Sequence, residues 1–270
     1  MIFSKLEKLK QNIIGAKKKQ LFRKVTNMYK WNVMHLCDKQ LRDINPKDIL
    51  NNGLYRRCDT YKGGGGYDKF PNIYKIRTEQ DGNYNEQFVV QLKGCPLRCP
   101  YCYVTVDGVH SGAYSLISTN QLVKDFNDSK LPVFHLMGGA PALYIDYWKE
   151  ILDRLNTQDV FHSDLLLLEG EYSKDTIKAL SSYKNSLYAI SIKGGNAAEF
   201  KKNTGVTLNE NLFWRNFDIV VDCGLPFYLT YTGMTDSSVE FFKNIVIKRY
   251  GEQVINDSFA IQLIKYEALK

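Results

Sequence analysis

The chain of 270 residues has no run of about 18 apolar residues, and its first residues, MIFSKLEKLKQNII, place lysines where a secretory leader needs an unbroken apolar segment. Membrane-spanning and secreted classes are therefore not expected, and the reading is a cytoplasmic protein. Cysteine is scarce, with six residues, and so unevenly placed that a disulfide scaffold is excluded. Histidine is scarcer still: His35, His110, His135 and His162 show no ligand spacing, and His135, on an apolar run, reads as a satisfied core residue. Beyond one glycine run there is neither low-complexity sequence nor an internal repeat.

Charge is also uneven. The first sixty residues hold 14 Lys and Arg against 5 acids, centred on AKKKQLFRK, and account for the net charge of +7. Such an arm either steers toward nucleic acid, an acidic peptide or an anionic surface, or is a solvated helix face. The pattern divides the chain at residue 85. Residues 1–85 form a mostly helical, basic extension, with helical patterns over about 3–30 and 31–44, followed by the loop YKGGGGYDKFPNIYKI. Residues 86–270 alternate short apolar runs (FVVQL, VFHLMGG, DLLLLEG, LYAISIKG, PFYLTYTG and FAIQLIKY) with helical segments such as TNQLVKDFNDSK and ENLFWRNFDIVVDCG. Continuous apolar strands joined by helices predict a parallel α/β sheet. Six strands are too few for a closed eight-stranded barrel, so a partial (β/α)6 barrel is expected.

Half of the cysteine lies in QLKGCPLRCPYCYV, as Cys95, Cys99 and Cys102. The stretch directly follows the first barrel strand, at the sheet edge where parallel α/β folds carry their chemistry. The spacing C-x3-C-x2-C differs from the paired C-x2-C of a zinc ribbon, and no fourth ligand is near, His110 being the closest. Three protein ligands suit a cluster of four irons in which one iron stays open.

These residues, GCPLRCPYCYV, resemble the signature of the radical S-adenosylmethionine superfamily, including the aromatic Tyr101 before the third cysteine. The resemblance spans about residues 87–270 and implies a 4Fe-4S cluster on Cys95, Cys99 and Cys102. It further implies S-adenosylmethionine bound at the open iron, an external one-electron donor of flavodoxin or ferredoxin type, and hydrogen-atom abstraction from a second substrate. LMGGAPAL is similar to the family's Gly-Gly-Glu-Pro segment through Gly138, Gly139, Ala140 and Pro141, with Ala140 in place of the acid. Its backbone carbonyls would receive the cofactor's ammonium group. ISIKGG is similar to the strand where relatives place cofactor contacts. Ser191 and Lys193 share one strand face there, and a buried lysine needs an anionic partner. In LLLLEGEY only Glu169 matches the family's Glu-Thr-Asn-Gly.

Cys37, Cys58 and Cys223 are too scattered for an auxiliary cluster. Cys223 ends a helix before Gly224, at the rim facing away from the cluster, and reads as a packed thiol. Loops SGAYS and YTGMTDSS, with Tyr103, Tyr114, Tyr231 and Asp236, are read as facing substrate. The chain ends at the sixth strand without a cysteine-rich extension, and an open barrel of this kind suits a large substrate. The first reading is therefore a radical enzyme acting on a peptide or protein, with residues 1–85 selecting the substrate. The alternatives are an RNA- or nucleotide-modifying relative, drawing on the basic arm, and a non-catalytic metal-binding domain.

Overall fold

Two faces of one sheet organise the chain, in a computed structural model that describes residues 29–36, 46–50, 53–59, 86–255 and 259–261. Strand β4 (Glu86–Gln91) pairs in parallel with β6 (Val133–Met137), and the parallel order continues through β7 (Val160–Leu165), β8 (Ser186–Ile192), β9 (Phe227–Thr232) and β10 (Phe259–Ile261). These six strands in chain order are the expected partial barrel. Beyond β4 the sheet runs on, antiparallel, into β3 (Tyr55–Asp59) and β2 (Ile49–Leu50). A separate antiparallel pair joins β1 (Tyr29–Met34) to β5 (Tyr114–Ser118).

The helices follow capping rules legible in the sequence. α1 (Val106–His110) starts at Thr105, α2 (Thr119–Ser129) at Ser118, α4 (Lys174–Ser181) at Ser173, α5 (Ala197–Thr204) at Asn196, α6 (Glu210–Asp222) at Asn209 and α7 (Asp236–Tyr250) at Thr235. Each cap side chain accepts a backbone N–H of the first turn. Between α2 and α4, a 3-10 stretch, Pro141–Tyr147, leads into α3 (Trp148–Leu152).

Alternate strand residues face opposite ways. Phe88, Val90, Phe134, Leu136, Phe161, Leu165, Tyr188 and Ile190 pack with Trp148, Ile177 and Phe217 from the helices into the main core. Trp148 stacks on Tyr188 at 5.6 Å. Each such side chain contributes about 1.5–3 kcal/mol on burial. Val133, Val160, Leu187, Ala189 and Tyr228, all strand residues, form a second cluster on the concave side.

Three expectations change. The third strand is Val160–Leu165 rather than DLLLLEG. His162 and Asp164 alternate along it and disguise it as a loop, while Leu166–Gly170 forms the turn after the strand, with Leu167 at φ 63°. Residues 29–34, expected to be helical, form a strand whose burial alternates, because Trp31 and Val33 point inward. The stretch SGAYS runs into strand β5 rather than remaining a loop. The regular elements among the described residues of the extension are strand or 3-10 helix. The glycine run 63–66, Cys37 and the lysines at 17–19 lie outside the described residues.

Candidate functional site

The loop carrying Cys95, Cys99 and Cys102 leaves β4 at the C-terminal edge of the sheet, and all three are half-buried and outside any disulfide. Backbone bonds shape it: Cys102 N–H donates to Cys99 O (3.1 Å), Arg98 N–H to Thr204 O (2.8 Å) and Gly94 N–H to Val109 O (2.8 Å). The Leu97 N–H points at the Cys95 sulfur, 3.4 Å away. Burial pushes the Cys95 thiol up to about 12; the Leu97 N–H partly opposes this, and the neighbouring Cys99, Cys102 and Glu169 add to it. Such a thiol stays protonated unless a cation takes it as thiolate.

The turn Gly138–Gly139 is locked against this loop. Both glycines have left-handed φ (69° and 55°), and a Cβ on Gly139 would lie 2.4 Å from the carbonyl oxygens of Leu92 and Gly94. Ala140, fully buried, donates its N–H to Gly94 O at 2.7 Å. Gly139 is therefore required by the approach of two backbones and Gly138 by the Gln91 side chain, and the Ala140 methyl suits a position closed to solvent.

Lys193 and Tyr101, 92 positions apart, meet: the ammonium lies 5.6 Å from the ring centroid. The Tyr101 hydroxyl is buried, and that burial, then the neighbouring Cys99, raises its pKa. Ser191 and Lys193 line a cavity of about 260 Å³ together with Leu97 of the cysteine loop, Leu166 and Phe200. Asn203, for which the sequence suggests no role, fixes the end of β8 by donating to Lys193 O (2.8 Å) and to Gly233 O (2.9 Å). Its only signal in the sequence is a polar residue on the inner side of α5.

Glu169 is near Cys95, but its carboxylate is occupied within its own turn. It accepts from Leu166 N–H (2.9 Å), Leu168 N–H (3.0 Å) and the Tyr172 hydroxyl (2.8 Å), while burial raises its pKa. Tyr103, partly buried, donates to Gln91 Oε1 at 3.2 Å. Tyr114 is exposed under the Lys93 ammonium, 4.0 Å from the ring centroid. Tyr231, expected to face substrate, is buried in the helix-side core instead, because it falls on the outward register of β9. Asp236 is exposed in the first turn of α7. Cys223 packs at the far rim after α6, with its thiol 3.7 Å from Lys174 O.

The histidines do come together. His135 and His162 are register partners on β6 and β7, with ring centroids 4.1 Å apart. Spacing along the chain could not show this; only strand alignment does.

The radical SAM superfamily model matches residues 89–246, more than half the chain, and the chain belongs to that superfamily. Its cofactors are thus a 4Fe-4S cluster and S-adenosylmethionine. The residues present fit both groups. Three half-buried cysteines gathered on one loop are the donor set of a cluster of four irons with three protein ligands. The Lys193 ammonium, 5.6 Å from the Tyr101 ring centroid, offers a donor to an anionic group. No curated protein matches the chain. Similar solved structures include anSMEcpe with bound AdoMet and the Cp18Cys peptide, at 16% identity and TM-score 0.45, covering 64% of this chain and 49% of that one. Streptococcus suis SuiB bound to S-adenosylmethionine is 12% identical with TM-score 0.49, covering 79% and 50%. HydG, a maturase of the FeFe-hydrogenase, is 12% identical with TM-score 0.46, covering 78% and 52%. The chain spans about half the length of these structures. Among the described residues no helix is long and apolar enough to cross a membrane.

Proposed function

We propose that the chain is a radical S-adenosylmethionine enzyme that cleaves its cofactor reductively and abstracts a hydrogen atom from a peptide or protein. The observation that carries this reading is the convergence, at one sheet edge, of the three-cysteine loop, the Gly138–Gly139 turn packed against it and the Tyr101–Lys193 pair. When bound, the cluster and cofactor supply the electron and the radical.

The protein's own residues do the rest. Cys95, Cys99 and Cys102 would ligate three irons, and the buried setting of Cys95 favours metal over a free thiol. Lys193, steadied through Asn203 at its backbone, would neutralise the cofactor carboxylate, with Ser191 one turn of the pleat below. Gly138 and Gly139 would present carbonyls to its ammonium group, and Ala140 would hold that turn in place. Glu169 would shape the opposite wall, its carboxylate being engaged by the turn.

A peptide rather than RNA is favoured by what surrounds this edge. Val106 after the cysteine loop, Leu143 after the glycine turn, Tyr114, Leu116 and Phe241 are exposed apolar or aromatic side chains, a surface suited to peptide side chains. The deciding experiment is anaerobic reconstitution of single Cys95→Ala, Cys99→Ala and Cys102→Ala variants. Each should lose the iron-sulfur absorbance and all 5′-deoxyadenosine formation after dithionite reduction, whereas Cys223→Ala keeps both. A Cys99→Ala chain that still holds four irons and forms deoxyadenosine would overturn the assignment.

A further inference from the structure

The concave face of the sheet, lined by strand residues alone, carries a polar group that the three-cysteine chemistry does not use. His135 on β6 and His162 on β7 face each other, and Asp164, two residues along β7, shares the face of His162. One ligand atom from each of the three lies within 4.8 Å of the others. The two rings are tilted by 52° with centroids 4.1 Å apart, the contact expected of register partners on neighbouring strands.

Each ring is already oriented through one nitrogen. His135 Nδ1 lies 2.5 Å from Gln87 Oε1, a carbonyl oxygen, so this nitrogen carries the proton and donates, leaving a lone pair at Nε2. That Nε2 is buried, has no hydrogen-bond partner and points into the group, with Asp164 Oδ1 3.9 Å away. His162 Nε2 is engaged by the Tyr228 hydroxyl at 3.0 Å, which leaves Nδ1 as the nitrogen available to a cation. A ring fixed by an outer acceptor and aiming a bare lone pair at a carboxylate is how protein matrices present imidazole to a cation.

We propose that His135, His162 and Asp164 form a second metal site, separate from the cysteine loop, for a divalent transition cation. Two imidazoles and one carboxylate are a nitrogen and oxygen set suited to manganese, iron, cobalt or zinc in the divalent state and not to an iron-sulfur cluster. Three protein ligands leave coordination positions open. Asp164 is the partly exposed member, with 32% of its side chain accessible, so the open positions would face the side from which a carboxylate or carbonyl oxygen of a substrate could bind. The ligand atoms need to close by about an ångström to reach bonding distance from one ion. This inference goes beyond the proposed radical chemistry and holds whether or not the substrate is a peptide.

The test uses the full chain with its cluster reconstituted, so that the cysteines are occupied, and Mn2+ as the probe, since that ion ignores thiolates. Titration followed by the free-ion electron paramagnetic resonance signal should show a single tight site per chain, from which Co2+ displaces Mn2+ in the order expected of such ligands. His135→Ala and Asp164→Asn should weaken binding by more than the roughly 100-fold that an outer-shell change can cost, and Gln87→Leu by about 10- to 100-fold. Asp164→Asn is near-isosteric and half-exposed, so it decides the question even if His135→Ala fails to fold. Mn2+ that binds wild type and Asp164→Asn equally, or no tight binding to folded wild type, would show a buried hydrogen-bonded pair and nothing more.

Discussion

The cysteine loop is held from two sides that differ in kind. From the barrel come backbone hydrogen bonds: Leu92 N–H to Met137 O, Ala140 N–H to Gly94 O and Arg98 N–H to Thr204 O, each 2.7–2.8 Å. From the extension come apolar side chains. Met34 and Leu36 are buried with Val104 and Val109, and Cys95, Cys102 and Tyr103 pack against that cluster. Among the described residues, backbone support from this side near the thiols is confined to the Val33–Leu92 bridge, with Lys93 N–H donating to Asn32 O at 2.9 Å. Hydrogen bonds fix where the thiols point, and packing keeps water away from them. A cluster site needs both, which argues that the extension is part of the site's structure as well as a surface for substrate.

The largest test of that contrast is removal of residues 1–85. Trp31, Val33, Met34, Leu36 and Tyr55 are all at least 95% buried, and β3 pairs along the whole of β4. At about 1.5–3 kcal/mol for each side chain, their removal is comparable with the ~5–15 kcal/mol that holds a typical domain together. The truncated chain should therefore lose its cooperative thermal transition and, with it, both cofactor cleavage and substrate turnover. A truncation that melts cooperatively and still forms deoxyadenosine would show that the barrel side suffices. A smaller version of the same test is Trp31→Ala. The indole donates to Thr119 Oγ1 at 3.0 Å and stacks on Tyr144 at 5.7 Å, away from the thiols. The expected cost is about 3–5 kcal/mol in urea denaturation. Iron content should stay at the wild-type level, because the backbone bonds that aim the cysteines are untouched.

The two sides also differ in how openly the sequence announces them. The barrel strands are legible because both of their faces are buried, so FVVQL and LYAISI are continuous apolar runs. β7 is not, because its concave residues, His162 and Asp164, are polar, which displaces the expected strand onto the leucines that follow. β1 is taken for a helix because YKWNVM buries only one face until its last two residues, a pattern that also fits one side of a helix. Its partner β5 is remote in sequence, and no local signal joins Trp31 to Ile117. In the site, the cysteines and Gly138–Gly139 are legible from spacing. The Lys193–Tyr101 pair and the His135–His162 pair depend on which strands lie side by side, and emerge only once the sheet order is known.

The smallest expected effect concerns the lysines at 17–19, which the packing argument leaves untouched. If the substrate is a peptide held at the apolar edge of Tyr114, Leu116 and Phe241, charge reversal by K17E, K18E and K19E together should leave kcat/KM for that peptide within about twofold at physiological salt, where surface charges are screened beyond roughly 8 Å. Stability should also stay within about 0.5 kcal/mol, as for surface changes in general. A nucleic-acid substrate predicts otherwise: reversing a lysine that neutralises a phosphate should lower affinity and flatten its dependence on salt by about one power of the salt concentration. The measurement is therefore turnover against ionic strength for wild type and the triple variant. Parallel, shallow lines place the chemistry with peptides and leave the lysine run as a solvated face. A steep wild-type line that flattens in the variant would make the basic arm a phosphate-binding element and move the substrate to RNA.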